Sequence, residues 1–391
     1  MAQVQAPRYP ETTELLTGNH AVSAAVKLAR PGVIAAYPIT PQTEIVEKLA
    51  VWCQTGELDA EFVAVESEHS ALAAAMGISL GGCRSFTATA SHGLLYMYEL
   101  VWWCGLTRIP VVMSVVNRSL NPWNIWPAHE DSMSCRDCGW IQLYAKNNQE
   151  ALDNTLMQFK ISENHKVWLP SMNCMDGFIL SHTSSQVNIP PQEAVDEYLG
   201  DFKPLAMLDS ANPFAHGSLT PPAGIVELRE SLMKGLDNVR KIWPSVCRDY
   251  RDLTGRSYGD FLEIHGDLKE ASIGVMALGT LGEEMEQSVD ILQQRGIKAV
   301  SIRPRVYRPF PREEIIEALS ELEKVVIIDR ASSYGAGYFD RDQGGQLATE
   351  IKTALYDADM KIQVNPLVRG LGGLDVNYVE IAEWVEKYAQ R

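Results

Sequence analysis

The stretch AAYPITPQTEIVEKLA, residues 35–50, changes from one secondary structure to another within a few residues. Residues 33–37 form a short apolar run typical of a buried strand, and the residues after Pro41 follow the spacing of an amphipathic helix. Each proline fixes its own φ and keeps the residue before it out of the helical region, so the corner is rigid. We predict that Thr40 caps the helix and that Pro41 is its first residue.

This corner has two interpretations. A hydroxyl group beside the free N–H groups of a helix N-terminus suits an anion, which makes Thr40 a candidate binding residue. The alternative is an ordinary capped turn between a strand and a helix that binds nothing.

Composition limits the classes of function. The chain has 391 residues, which predicts two or three domains, and it is 46% hydrophobic and 21% charged, as soluble globular proteins are. A formal net charge of −16 argues against binding to nucleic acid, because the phosphate backbone would repel the protein. No stretch approaches the roughly 20 apolar residues of a membrane span, and the first residues contain no apolar signal core. We therefore expect a cytoplasmic protein.

The cysteines do not form a recognisable framework. There are seven, an odd number, and most lie in apolar surroundings where they are expected to pack as small hydrophobic residues. Cys135 and Cys138 form a single CxxC pair, which could be half of a zinc site or a redox pair. No second pair lies at metal-site spacing, and no run of four cysteines suggests an iron–sulfur cluster. We predict no metal site in this chain.

The order of the predicted elements indicates an α/β fold. Apolar strands alternate with helices, which is typical of a parallel sheet covered on both faces. In the first half we predict strands at 33–37, 61–65, 85–90, 109–116 and 166–170, and helices at 19–29, 41–52, 70–78, 94–104 and 149–161. After a proline-rich connector that contains a long helix at 225–250, we predict strands at 272–277, 299–302 and 325–328 and helices at 282–294 and 312–322. The predicted domains are 1–255, with the connector from about 184, and 256–391.

Several predicted strands end in side chains suited to chemistry. These are Thr40, the ESEH sequence that contains Glu68, the Ser91-His92-Gly93 turn, and Arg118 before a tryptophan-rich loop. Parallel α/β sheets bind ligands at the carboxyl ends of their strands, so these residues are expected to lie close together. Arg118 and Thr40 would form a clamp for a carboxylate, because a guanidinium group matches it with two hydrogen bonds.

Each of these residues also has a structural interpretation. Arg118 would form a structural ion pair, and the carboxylate of Glu68 would favour the start of a helix. His92 and His129 would be internal histidines whose hydrogen bonds are satisfied. Trp123 and Trp126 would pack the loop onto the sheet.

An ordered series of motifs resembles the α subunit of the 2-oxoacid:ferredoxin oxidoreductases, most closely the pyruvate:ferredoxin oxidoreductase type. The motifs are YPITPQT, ESEHSALAAAMG, FTATASHGL, IPVVMSVVNR and HEDSMSCRDCGWIQLYAKNNQEALD, followed by VYRPFPREEI, VVIIDRASSYG and RGLGGLDV. Together they cover nearly the whole chain.

The resemblance implies a thiamine-diphosphate pyrimidine-binding domain followed by a domain similar to the carboxyl-terminal domain of transketolase. It implies that the diphosphate and Mg²⁺ lie on a β subunit and that iron–sulfur clusters belong to partner subunits. The expected partners are β, γ and δ subunits, separate or fused, and ferredoxin or another electron acceptor, with coenzyme A as cosubstrate.

The resemblance also implies roles for individual residues. Glu68 matches the glutamate that binds N1′ of the aminopyrimidine, where a carboxyl group is needed for proton exchange. Ser91, His92 and Gly93 match a cofactor-binding turn. Thr40 and Arg118, with Tyr37 and Ile39 beside them, match residues that hold the substrate carboxylate.

Some departures leave the substrate open. The family often has SQG where this chain has Ser91-His92-Gly93. The tryptophans of this chain also differ from those expected of a typical pyruvate enzyme. We expect pyruvate, with branched or aromatic 2-oxoacids as alternatives. Oxalate is disfavoured because the oxalate type has arginine where this chain has Thr40. Two further alternatives are a transketolase-like transferase and a non-catalytic assembly subunit.

Overall fold

The computed structural model describes residues 7–217, 219–334, 342 and 344–390. The first part contains β1 (Thr12–Leu16), α1 (Gly18–Ala29), β2 (Val33–Ala36), α2 (Thr43–Thr55), β3 (Glu61–Ala64), α3 (Glu68–Leu80), β4 (Ser85–Thr89), α4 (Ser91–Tyr96), α5 (Tyr98–Leu106), β5 (Val112–Asn117), α6 (Glu130–Ser134), β6 (Ile141–Tyr144), α7 (Asn148–Ser162), β7 (Ser171–Asp176), β8 (Ser185–Ile189), α8 (Gln192–Leu199) and α9 (Pro222–Thr254). The second part contains β9 (Leu262–His265), β10 (Ile273–Ala277), α10 (Leu281–Gln294), β11 (Ala299–Pro304), β12 (Val306–Arg308), α11 (Arg312–Leu319), β13 (Lys324–Asp329), α12 (Gln346–Asp357), β14 (Gln363–Val368), a 3₁₀ turn (Leu371–Gly373) and α13 (Tyr378–Ala389).

Two large sheets and one small antiparallel pair, β1 with β8, organise these elements, and the large sheets confirm the predicted α/β fold. The larger sheet has the order β12-β6-β7-β5-β4-β2-β3 and is parallel except for β12. The smaller sheet has the order β14-β13-β10-β11-β9 and is parallel except for β9. β12 comes from the second half of the chain but pairs with β6 in the larger sheet. The predicted domain boundary near residue 255 stays a prediction.

The predicted cap of α2 is wrong. The helix begins at Thr43, after Gln42, and Thr40 lies in the turn before it. The turn is closed by hydrogen bonds from Gln42 N to Ile39 O and from Gln42 Nε2 to Tyr37 O, so the glutamine rather than the threonine secures the corner. Thr40 is exposed.

Two other predicted elements need correction. The strand predicted at 166–170 is a turn, because Trp168 has a φ of 46° and both Val167 N and Trp168 N bond to Asn164 O. The strand at this place is β7, which begins at Ser171. The helix predicted at 94–104 is divided into α4 and α5 at Met97, whose φ and ψ of −92° and 9° are not helical.

A buried ionic cluster joins the two halves of the chain. Glu150 on α7 has no exposed surface and pairs with Arg303 at 2.9 Å and with Arg305 at 2.7 Å. Burial alone raises the pKa of Glu150, but the two guanidinium groups outweigh it and lower that pKa to about 2. Glu150 is therefore charged, and it holds β11 and the residue after it against α7.

None of the helices within the described residues has the combination of length and apolar composition that crossing a membrane requires.

We expect Glu150→Ala to reduce the free energy of unfolding by about 3–5 kcal/mol at pH 7, because it removes the carboxylate that two buried guanidinium groups share; Arg303 keeps its pair with Glu263, whereas Arg305 loses its carboxylate partner. The folded pKa of about 2 lies below the ordinary 4.5, so this stability is present above pH 4.5 and is lost as the pH falls towards 2. Denaturant unfolding at several pH values measures both effects, and the gap between wild type and variant should narrow in acid.

Asp237→Ala is the matched control, because Asp237 pairs with Lys241 on the exposed surface of α9. It should cost less than about 1 kcal/mol. An equal loss in both variants would contradict a structural role for the buried cluster.

Candidate functional site

The predicted site residues meet at the carboxyl ends of neighbouring parallel strands. Thr40 follows β2, Glu68 begins α3 after β3, Ser91 begins α4 after β4, and Arg118 follows β5. Ser67 caps α3 by accepting a hydrogen bond from Ser70 N at 3.2 Å, which fixes Glu68 in the first turn of that helix.

Arg118 lies at the centre of this group and is 6% exposed. Its Nη1 donates to the backbone carbonyl of Thr40 at 2.6 Å, and its Nη2 lies 3.2 Å from His92 Nδ1. The ring of Trp123 covers the guanidinium group, with 4.9 Å from Arg118 Cζ to the ring centroid. Burial lowers the pKa of Arg118, and the charges of Asp131 and Glu68 oppose that shift. Because the ordinary pKa of arginine is so high, the group stays charged.

The structure thus brings Thr40, His92 and Arg118 together, but not in the predicted form. Thr40 contacts Arg118 through its carbonyl oxygen. Thr40 lies at the same corner as Arg118 and is an exposed residue. Tyr37 and Ile39 are partly buried in the turn before it. Their roles towards a substrate remain predictions.

Glu68 faces Gly93 across the gap between α3 and α4. A Cβ atom at Gly93 would lie 2.6 Å from Glu68 Oε1 and 2.7 Å from Thr89 Oγ1, so only glycine leaves room for both oxygens. Glu68 is 7% exposed, and no donor in the described residues pairs with its carboxylate. Thr89 Oγ1 is also buried without a partner there.

Such an unpaired acceptor fits the aminopyrimidine of thiamine diphosphate. A buried carboxylate normally requires a hydrogen-bond donor, and a ring nitrogen that carries a proton supplies one. The fit concerns Glu68, Thr89 and Gly93 only. Within the described part of the chain, no group of three His, Cys, Asp or Glu residues could hold a metal ion.

Ser91 and His92 both form contacts with other residues of the protein. Ser91 has a φ of 45°, and its hydroxyl donates to Ser119 O at 2.8 Å. His92 is partly exposed, and its ring meets that of Trp123 edge to face at 6.3 Å. Both help to shape the corner after β4, and their contact with a cofactor remains a prediction.

The sequence analysis missed Asp131, the residue that joins these corners. Asp131 has no exposed surface. Its Oδ2 accepts from Ser91 N at 2.9 Å and Arg118 N at 3.0 Å, and its Oδ1 accepts from Asn117 Nδ2 at 2.7 Å and Ser132 N at 2.8 Å. Burial raises the pKa of the Asp131 carboxyl, and the four donors pull it back. The only signal in the sequence was a carboxylate beyond the tryptophan-rich loop.

A second buried network lies next to the site. His129 Nε2 bonds to Asp176 Oδ1 at 2.7 Å. In the second half of the chain, Thr280 donates to Asp176 Oδ2, and Arg330 forms an ion pair with the same oxygen at 3.1 Å. Burial raises the pKa of Asp176, but the charges of Arg330 and His129 bring it well below its ordinary value. His129 therefore has a hydrogen-bond partner inside the protein, as its structural interpretation predicted.

Cys135 and Cys138 are fully buried between α6 and β6. Burial and the neighbouring thiol raise the pKa of Cys135 well above its ordinary value, so it is not poised as a thiolate. Their environment is that of packed apolar side chains.

Family models match both parts of the chain. Residues 24–247 match the thiamine diphosphate-binding domain of pyruvate flavodoxin/ferredoxin oxidoreductase, and residues 271–381 match core domain II of pyruvate:ferredoxin oxidoreductase. The fold and site therefore define a thiamine-diphosphate-binding protein, and the chain belongs to the pyruvate:ferredoxin oxidoreductase family.

Among individual relatives, the chain is similar to two kinds of subunit. It is 41% identical over 96% of its length to pyruvate synthase subunit PorA of Methanothermobacter thermautotrophicus, covering 94% of that protein. It is also 41% identical over 94% of its length to ketoisovalerate oxidoreductase subunit VorA of Pyrococcus horikoshii, covering 91% of that protein.

A solved structure shares the fold. The 2-oxoglutarate:ferredoxin oxidoreductase from Magnetococcus marinus aligns with 97% of this chain at a TM-score of 0.76 and 19% identity, and this chain spans 65% of its length. These comparisons confirm the resemblance inferred from the motifs.

We expect Asp131→Asn to destabilise the protein, because one amide NH₂ group must face N–H donors that the carboxylate satisfied. Each buried donor left unpaired costs about 1–3 kcal/mol. Thermal or denaturant unfolding measures the loss.

Asp137→Asn is the control, since it makes the same change on an aspartate whose side chain is 67% exposed. Its effect should be within about 0.5 kcal/mol. If the two variants were equally stable, the four hydrogen bonds of Asp131 would not organise the strand ends.

Proposed function

We propose that this chain is the α subunit of a hetero-oligomeric 2-oxoacid:acceptor oxidoreductase, which converts a 2-oxoacid and coenzyme A to acyl-CoA and CO₂. The observation that carries the proposal is the carboxylate of Glu68, a residue that is only 7% exposed and faces Gly93 close to the guanidinium group of Arg118. The Glu68 carboxylate suits a cofactor that needs an acidic partner, and the Arg118 guanidinium group suits an acidic substrate.

Thiamine diphosphate, when bound, supplies the carbon nucleophile and the electron sink of the decarboxylation. Glu68 would hydrogen-bond N1′ of its aminopyrimidine ring and hold the proton there. Gly93 lets the ring approach, because a side chain at this position would occupy the space beside Glu68 and Thr89. The diphosphate, Mg²⁺ and iron–sulfur clusters are proposed to lie on β, γ and δ partner subunits, with ferredoxin or another acceptor taking the electrons.

Arg118 would bind the substrate carboxylate. The guanidinium group is held in place by Thr40 O and faced by His92, and its Nε is buried without a partner among the described residues. It therefore has donors left for a ligand, and the hydroxyl of Thr40, an exposed residue whose carbonyl oxygen accepts from Arg118, would add a further donor.

We propose that the complex is cytoplasmic.

The proposed substrate is pyruvate, with a branched 2-oxoacid as the alternative. Relatives named for pyruvate and for ketoisovalerate are equally similar to this chain, so overall identity does not separate the two. An assay decides between them: the purified complex is given each of a panel of 2-oxoacids, and the rate of reduction of its electron acceptor is measured.

We expect Glu68→Gln to slow turnover of the assembled complex by about 10²–10⁴-fold, the usual contribution of a positioned acid–base group. The change conserves volume, so folding should be intact. Acceptor reduction at saturating cofactor measures the effect.

Glu66→Gln makes the same change two residues earlier, on an exposed side chain that accepts a hydrogen bond from Ser70 Oγ. It should leave turnover near that of the wild type. Comparable rates for wild type and Glu68→Gln would remove Glu68 from the cofactor site.

We expect Arg118→Ala to lower kcat/KM by roughly ten- to a hundredfold for every 2-oxoacid that the complex accepts, because a charge-assisted contact is worth about 1.5–3 kcal/mol. Arg118→Lys should restore activity only in part, since an ammonium group cannot make two parallel hydrogen bonds. Thr40→Val should cost less than Arg118→Ala. The two defects should be less than additive if both groups serve one carboxylate.

Steady-state kinetics with the cofactor titrated separately test these variants. Loss of cofactor affinity at an unchanged KM for the 2-oxoacid would mean that Arg118 is a structural residue instead.

A further inference from the structure

The loop after Arg118 is held by the second half of the chain. We call residues 119–127 the tryptophan loop; it contains Trp123 and Trp126. Asn124 Nδ2 donates to Gly372 O at 3.0 Å, and Gly372 belongs to the 3₁₀ turn that follows β14. The side chain of Asn124 also accepts from Trp126 N at 2.9 Å. One asparagine thus ties the loop to itself and to the turn.

Gly373 approaches the same loop at van der Waals distance. A Cβ atom at Gly373 would lie 2.4 Å from Trp126 Cβ and 2.8 Å from Trp126 Cγ. These atoms are at the base of the side chain, so they cannot move away without moving the backbone. Trp126 is also held from the other side by Phe178, at 4.9 Å between ring centroids. The turn and the loop therefore fit together only because residue 373 has no side chain.

The loop in turn determines where Arg118 lies. The carbonyl oxygen of Trp126 accepts from both Ser119 N at 3.1 Å and Ser119 Oγ at 3.2 Å. Ser119 directly follows Arg118, so a shift of Trp126 is passed to the backbone beside that residue. Further along the loop, Trp123 packs on the guanidinium group itself. Both ends of the Arg118 side chain are therefore fixed by the tryptophan loop.

We propose that Gly372 and Gly373 are positioning residues for substrate binding, which act through the tryptophan loop on Arg118. The second half of the chain would then influence the geometry of carboxylate recognition through its contacts with the tryptophan loop. This inference rests on the proposed role of Arg118.

Gly373→Ala in the assembled complex tests the proposal. The added methyl group should displace Trp126 and raise KM for the 2-oxoacid by about tenfold, since a displaced guanidinium group loses part of the roughly ten- to hundredfold that its charge-assisted contact with a carboxylate contributes. The cofactor contacts of Glu68 lie elsewhere, so kcat at saturating substrate and cofactor affinity should change little.

Gly296→Ala is a matched control. Gly296 has a φ of +79° and Gly373 a φ of +80°, so alanine is equally strained at both, but a Cβ atom at Gly296 meets nothing within 4 Å. Any effect of backbone strain alone should appear in both variants. The displacement of Trp126 should appear only in Gly373→Ala.

Asn124→Ala is a second route to the same loop, should Gly373→Ala fail to assemble. It removes the hydrogen bond to Gly372 and should raise KM in the same direction by a smaller factor. Because Trp126 is then already loosened, adding Gly373→Ala should multiply KM by less than the product of the single effects.

Three results would overturn the proposal. If Arg118→Ala raises KM while Gly373→Ala and Asn124→Ala match Gly296→Ala, the second half does not position Arg118 and the proposed function stands. If Gly373→Ala lowers kcat and cofactor affinity at an unchanged KM, the turn supports the site in general and not the carboxylate. If Arg118→Ala itself leaves KM unchanged, the carboxylate role fails and this inference fails with it.

Discussion

The buried carboxylate of Asp131 is the constraint on which the site depends. Two parallel strands, β4 and β5, end side by side, and the backbone N–H groups of Ser91 and Arg118 just beyond those ends both point at one oxygen of Asp131. Burying a carboxylate is costly unless every lone pair is used, and here four donors use them. The left-handed conformation of Ser91 is stabilised by the same bond. A single residue from the far side of the tryptophan loop thus sets the distance between the two corners.

Burial of charge also explains how the two halves of the chain act as one body. Glu150 pairs with Arg303 and Arg305 of the second half, Asp176 pairs with Arg330 of the second half, and all five of these side chains are buried. Ion pairs of this kind contribute geometry more than net stability, because desolvation offsets much of their attraction. They tolerate little displacement, since separation would leave charges buried alone. The 3₁₀ turn of the second half can therefore support a loop of the first half at fixed distance.

The sequence predicted the parts of this structure that depend on local pattern. The alternation of strands and helices, the corner at the prolines and the gathering of Glu68 and Arg118 at strand ends all follow from periodicity and from the layout of parallel sheets. Thr40 as a helix cap was wrong because Gln42 competes for the same turn, and a strand was placed too early because a left-handed Trp168 cannot be recognised from its residue type. Asp131 was missed because two of its four donors are the backbone N–H groups of Ser91 and Arg118, just beyond the ends of β4 and β5, and such contacts leave no pattern in the sequence.

The charge of the proposed carboxylate site depends on the contact between Arg118 and His92. Arginine can only donate, so this contact is a hydrogen bond when Nδ1 of His92 carries no proton; Ser91 Oγ also lies 3.2 Å from that nitrogen. Arg118 is then the one positive charge in that contact, and Glu68 is close enough to raise its pKa. Under the proposed function, the one guanidinium group of Arg118 would serve one substrate carboxylate, while the nearby Glu68 would serve the cofactor.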